Sequence, residues 1–160
     1  MLVISAAVAA TLVSSVVAAL SNGAPATAED AQQPLVETFD YPDADAIFQQ
    51  RQIRLKKGDG HILLVDCRAG ANQIRVESNA FDPPNHLFCF QVTGNSGYLT
   101  MEIPNAFLVY GNDYNAVASW TTDTGEVRQS TVRKNDPVPT PIGEGATGTP
   151  GVLIELRATR

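Results

Sequence analysis

The amino-acid sequence predicts an all-β fold: an antiparallel β-sandwich of about eight or nine strands with one short N-terminal helix, preceded by a signal peptide. Three observations predict it. Beyond Ile53 the apolar residues fall at every second position or in short continuous runs, which is the period of strands. Clusters of Gly, Pro, Asn and Asp interrupt these runs roughly every 8 to 12 residues. Only the stretch from Asp40 to Arg51 has the composition of a helix.

The first segment carries no charge between Leu2 and Leu20, and closes on Ala24-Pro25-Ala26-Thr27-Ala28. An apolar run followed by small residues in overlapping A-x-A spacing is the layout of a cleavable secretion signal. Cleavage is expected after Ala28, just ahead of Glu29 and Asp30, with Ala26 the alternative. No Lys or Arg precedes the apolar run, so a start upstream of Met1 fits the pattern better than Met1 does. The competing reading is an uncleaved anchor, since roughly 18 apolar residues span a bilayer; the abundance of Ala and Ser opposes it. The expected organisation is a signal peptide over 1–28, a disordered lead-in over 29–38 and a single β-sandwich domain over 39–160.

Within the domain, Asp40, Pro42, Asp43 and Asp45 suit the first turn of a helix, where carboxylates meet the positive end of the dipole. Two turns are expected, ending at Arg51. Strands then follow over 53–56, 62–65, 73–77, 87–92, 98–103, 107–110, 116–122, 126–133 and 151–157. The run Ile62-Leu63-Leu64-Val65 is apolar on both faces, which predicts a strand in the middle of the fold. Residues 93–97 read as the turn of a hairpin joining 87–92 to 98–103, and Asp123-Thr124-Gly125 as the turn of another. Pro104 closes the strand before it. Residues 134–150 hold Pro137, Pro139, Pro141 and Pro150 with three glycines, and are expected to form a long irregular surface loop.

The chain has 160 residues and a formal charge of −6, all of which lies on residues 29–160. Such a surface repels phosphate backbones, which argues against nucleic acid as a partner. The basic run Arg51, Arg54, Lys56 and Lys57 reads as a solvated face. Cys67 and Cys89 are the only cysteines, and in an exported chain they are expected to form one disulfide between two core strands.

Chemistry is weakly signalled. His61 and His86 are the only histidines; Asp59 stands in position to orient His61, but no Ser lies in a nucleophile turn. Asp40, Asp43 and Asp45 depart from the spacing of a calcium loop, and helix capping accounts for them. Trp120 and Tyr110, with Tyr98 and Tyr114, are the aromatic candidates for a glycan-stacking face, although a lone Trp is more often buried. The 136–150 stretch is the candidate for a protease-inhibitor loop, against which its glycines speak. No motif for a cofactor or a metal is present.

Several stretches together resemble a group of uncharacterised small secreted proteins of actinobacteria: Tyr41-Pro42-Asp43-Ala44-Asp45, Gly58-Asp59-Gly60-His61-Ile62-Leu63-Leu64 with Cys67, Cys89-Phe90, Val92-Thr93-Gly94 and Gly97-Tyr98-Leu99-Thr100-Met101-Glu102. The resemblance covers most of residues 41–157 and implies export from a Gram-positive cell; it brings no site residues. The expected function is a secreted, non-enzymatic module that binds an extracellular protein or glycan, touching a membrane only if the signal segment stays uncleaved. The alternatives are a small secreted hydrolase, a carbohydrate-binding module and a protease inhibitor. An enzyme should gather His61 with Asp and Ser or Thr in one cleft, and a binder should expose an apolar or aromatic patch.

Overall fold

The structure is a computed structural model that describes residues 39–160, so the expected signal peptide and lead-in lie outside the described residues. The elements in chain order are β1 (Phe39–Asp40), α1 (Ala44–Arg51), β2 (Arg54–Gly58), β3 (Ile62–Val65), β4 (Ile74–Ser78), β5 (Leu87–Val92), β6 (Ser96–Ile103), β7 (Ala106–Tyr110), β8 (Asn115–Thr122), β9 (Val127–Val132), β10 (Thr140–Pro141), α2 (Glu144–Thr147) and β11 (Gly151–Thr159). They form two antiparallel sheets, one of six strands in the order β1-β2-β6-β11-β8-β9 and one of five in the order β10-β7-β4-β5-β3.

Alternation explains which face each strand buries. In β6, Leu99, Met101 and Ile103 are buried while Tyr98, Thr100 and Glu102 face outward. The inward residues of both sheets, among them Ile53, Phe88, Phe90 and Leu156, merge into one core. At roughly 25 cal/mol per Å² of apolar surface removed from water, this layer is the main source of stability. Cys67 and Cys89 are bonded, with Cα atoms 5.2 Å apart. Cys89 stands opposite Val65 in the β3–β5 ladder, so the bridge fastens the end of β3 to its hydrogen-bonded neighbour.

Three expectations about strands and loops are corrected. The hairpin expected across residues 93–97 does not form, because β5 belongs to the five-stranded sheet and β6 to the six-stranded one. An apolar alternation fits a strand facing its neighbour across the core as well as one paired beside it, and here the chain crosses between layers. The same happens between β2 and β3 and between β7 and β8. These crossings meet at one end of the sandwich, where the Tyr114 hydroxyl donates to the Gly94 carbonyl at 2.5 Å. By contrast β8 and β9 do pair through the turn at 123–125.

Second, β3 is an edge strand rather than a central one. Ile62 is buried at 1% exposure, but Leu63 is 38% exposed. The edge is covered by the β1–α1 segment, whose Tyr41 hydroxyl accepts the Leu64 N–H at 2.8 Å. Closing an edge this way removes a template for unwanted strand pairing. Third, residues 134–150 lie mostly at the surface as expected, but part of the stretch folds back onto β7, with Thr140–Pro141 paired to it as β10. Ile142 is fully buried, and its N–H donates to the Phe107 carbonyl at 2.9 Å. A methyl group on Gly143 would strike the Ala106 carbonyl oxygen, so that glycine permits close contact and does not mark mobility. α2 adds a single helical turn there, beside the one helix expected.

Helix α1 ends at Arg51 as expected, but it begins only at Ala44, so that Asp40 lies in β1, Pro42 precedes the helix and only Asp45 stands in the first turn. Asp43 holds the N-cap position in the left-handed region, φ 54, and its side chain makes no capping hydrogen bond. Among the described residues no helix is long and apolar enough to cross a membrane.

Candidate functional site: a groove beside an edge strand

His61 and Asp59 do come together, with Nδ1 and Oδ2 3.5 Å apart. What surrounds them decides their role. Asp59 Oδ1 accepts the N–H of His61 at 3.0 Å and the N–H of Tyr98 at 3.0 Å. The carboxylate therefore ties the start of β3 to β6 where the chain crosses between sheets. The His61 carbonyl accepts from the Thr93 N–H at 2.8 Å, and its side chain is 51% exposed. Among the described residues no hydroxyl hydrogen-bonds the imidazole; the Thr93 hydroxyl donates to the His61 carbonyl instead, at 3.3 Å. Elsewhere, no group of three or more His, Cys, Asp or Glu among the described residues is placed to hold a metal ion.

The aromatic candidates also change standing. Trp120 is buried at 2% exposure, with its indole N–H 3.4 Å from the Ser130 hydroxyl; it is a core residue and is withdrawn as a stacking platform. Tyr110 lies on the outer face of the five-stranded sheet, but the Arg75 guanidinium sits 4.4 Å from its ring centroid. Burial, and a hydrogen bond to Glu77, hold its hydroxyl above the usual tyrosine range. Arg157 covers Tyr98 in the same way at 4.3 Å.

On the outer face of the six-stranded sheet the structure assembles side chains that alternation alone did not pick out. A bulge between Leu153 and Glu155 turns Glu155 outward, where Arg157 Nε donates to it at 2.7 Å. The Ser119 hydroxyl lies 3.5 Å from the same carboxylate and accepts from Gln129 at 3.2 Å. Each side chain of this row has a partner within it, so the row reads as cross-strand cohesion. A polar hollow of about 270 Å³ beside residues 66–73 is similarly committed: the Gln73 amide donates to the Asp66 carbonyl and accepts from the Arg68 N–H.

Two surfaces are lined mainly by apolar groups: a hollow of about 480 Å³ bounded by Phe48, Pro104, Val152 and Ile154, and a groove that is also bordered by exposed large hydrophobic side chains. This groove, of about 530 Å³, runs between β3 and the β1–α1 segment and is lined by Tyr41, Pro42, Ile47 and Leu63. A smaller hollow of about 240 Å³ continues it past Pro42 and Leu63 to Phe39. Among the described residues four large hydrophobic residues are exposed, and two of them, Phe39 at 62% and Leu63 at 38%, border this groove. Its carboxylates are Asp40 and Asp43. Tyr41, Pro42 and Leu63 belong to stretches the sequence already marked, but the groove follows from β3 lying at an edge, which the sequence did not show. Comparison with protein-family models finds no match, and comparison with curated proteins finds none either.

Proposed function

We propose that this chain is an exported, non-catalytic binding domain that engages a partner outside the cell through the groove between β3 and the β1–α1 segment. One observation carries the reading: Phe39 and Leu63, two exposed large hydrophobic residues, border the same concave apolar surface. Contiguous exposed apolar surface of this kind marks interaction sites. The disulfide supports export, because such bonds persist in oxidising compartments. The uncharged segment ahead of Ala28 and the resemblance to secreted actinobacterial proteins support it as well.

Retention of the purified protein on envelope and medium fractions of an actinobacterium tests the site. A Leu63→Ser variant of equal fold should be retained at least fivefold less. Equal retention of both proteins removes the groove from the reading, and hydrolysis of any envelope component that disappears in His61→Ala replaces it with the hydrolase. Sequencing the exported protein should find Glu29 first, with no free thiol.

A further inference from the structure

We infer that the partner of this groove is a basic polypeptide segment, one that seats an apolar side chain against Leu63 and Pro42 while its neighbouring Lys or Arg residues meet the carboxylates at the rim. This rests on the groove being the binding surface. Charge complementarity favours such a partner over others. Asp40 and Asp43 line the groove, and Asp45 follows in the first turn of α1. Among the described residues only Lys57 approaches any of them, 3.9 Å from Asp40; neither Asp43 nor Asp45 takes part in an ion pair. The Asp43 side chain is also unused by its own helix, since it makes no capping bond. The N-terminal end of α1 favours negative charge nearby, and the side chains of Asp43 and Asp45 stand at that end without an ion-pair partner among the described residues. The whole chain carries −6, which draws a cationic partner from a distance and repels an acidic one.

The lining also distinguishes a polypeptide from a glycan. A sugar needs a dense set of hydrogen-bonding groups, whereas this floor offers aliphatic and aromatic carbon with polar groups confined to the margin. An amphipathic segment alternating apolar and cationic side chains matches both parts. Contacts at an exposed rim are screened by salt beyond about 8 to 10 Å, so the affinity should fall as ionic strength rises.

The test uses fluorescein-labelled pentapeptides with a central leucine between two lysine pairs, the same peptide with glutamates, and one with serine replacing leucine. The lysine–leucine peptide is expected to bind at least tenfold more tightly than the glutamate peptide and about fivefold more tightly than the serine peptide. Leu63→Ser should weaken it about fivefold, and the double variant Asp43→Asn/Asp45→Asn should weaken it and flatten its salt dependence. Amide shifts in the protein's nitrogen–proton spectrum should cluster on Leu63, Ala46 and Ile47. Equal binding of the lysine and glutamate peptides, indifference to Leu63→Ser, or shifts gathered on the outer face of β6 and β11 would overturn the inference. If envelope retention depends on Leu63 while oligosaccharides bind and no peptide does, the groove stands and the basic partner falls. If neither depends on Leu63, both fall together.

Discussion

Asp59 illustrates how a residue of catalytic type can be spent on architecture. Its carboxylate holds the N–H groups of His61 and Tyr98, and hydrogen bonds to a charged group contribute about 1.5–3 kcal/mol each. Asp59→Ala should therefore cost about 2 kcal/mol or more in urea unfolding, whereas His61→Ala, at a half-exposed side chain, should change stability by no more than about 0.5 kcal/mol. Asp113 works differently. The Asn72 amide, 2.6 Å away, and the Arg160 guanidinium at 3.1 Å hold its carboxyl below the usual carboxylate range. A depressed native pKa gives stability that is present above the unfolded value, about 3.9, and is lost as pH falls through the native one. Asp113→Asn should accordingly flatten the acid limb of the stability curve below about pH 4, as read by thermal melts from pH 6 down to 2. Single residues were legible in the sequence where burial decided them, as for Leu99 and Phe90. Asp59 was visible as a candidate, but its partner Tyr98 stands 39 positions away, and no local pattern announces such a bond.

At the scale of elements, most strands matched their sequence signals to within a few residues, because alternation of apolar and polar side chains is a local property. Pairing was less legible, since β5 and β6 carry the same inward pattern whether they lie side by side or face each other. The edge position of β3 escaped for a related reason: an apolar run covered by a helix and a tyrosine looks in sequence like one covered by a second sheet. Two predictions belong here. Tyr41→Phe removes the acceptor of the Leu64 N–H and leaves a partly buried donor unpaired, which should cost about 1–2 kcal/mol and raise self-association, as read by sedimentation velocity at high protein concentration. Replacing both cysteines with serine frees a loop spanning 22 positions; the chain-entropy relation puts the loss at about 3 kcal/mol, measurable as a lowered urea midpoint with an unchanged native spectrum.

The whole molecule is a pair of sheets whose strands are seldom joined to their neighbours in sequence. The groove lies between β3, at the edge of one sheet, and the β1–α1 segment, with β1 at the edge of the other, a feature that emerges once the layers are assembled. The strand order has another effect. β11, residues 151–159, sits in the interior of the six-stranded sheet between β6 and β8, so a polypeptide that stops short of Gly151 has two half-sheets and no strand to join them. The fragment 39–150 should show no cooperative melting transition by circular dichroism. During synthesis the larger layer stays incomplete until residue 159 has cleared the ribosome.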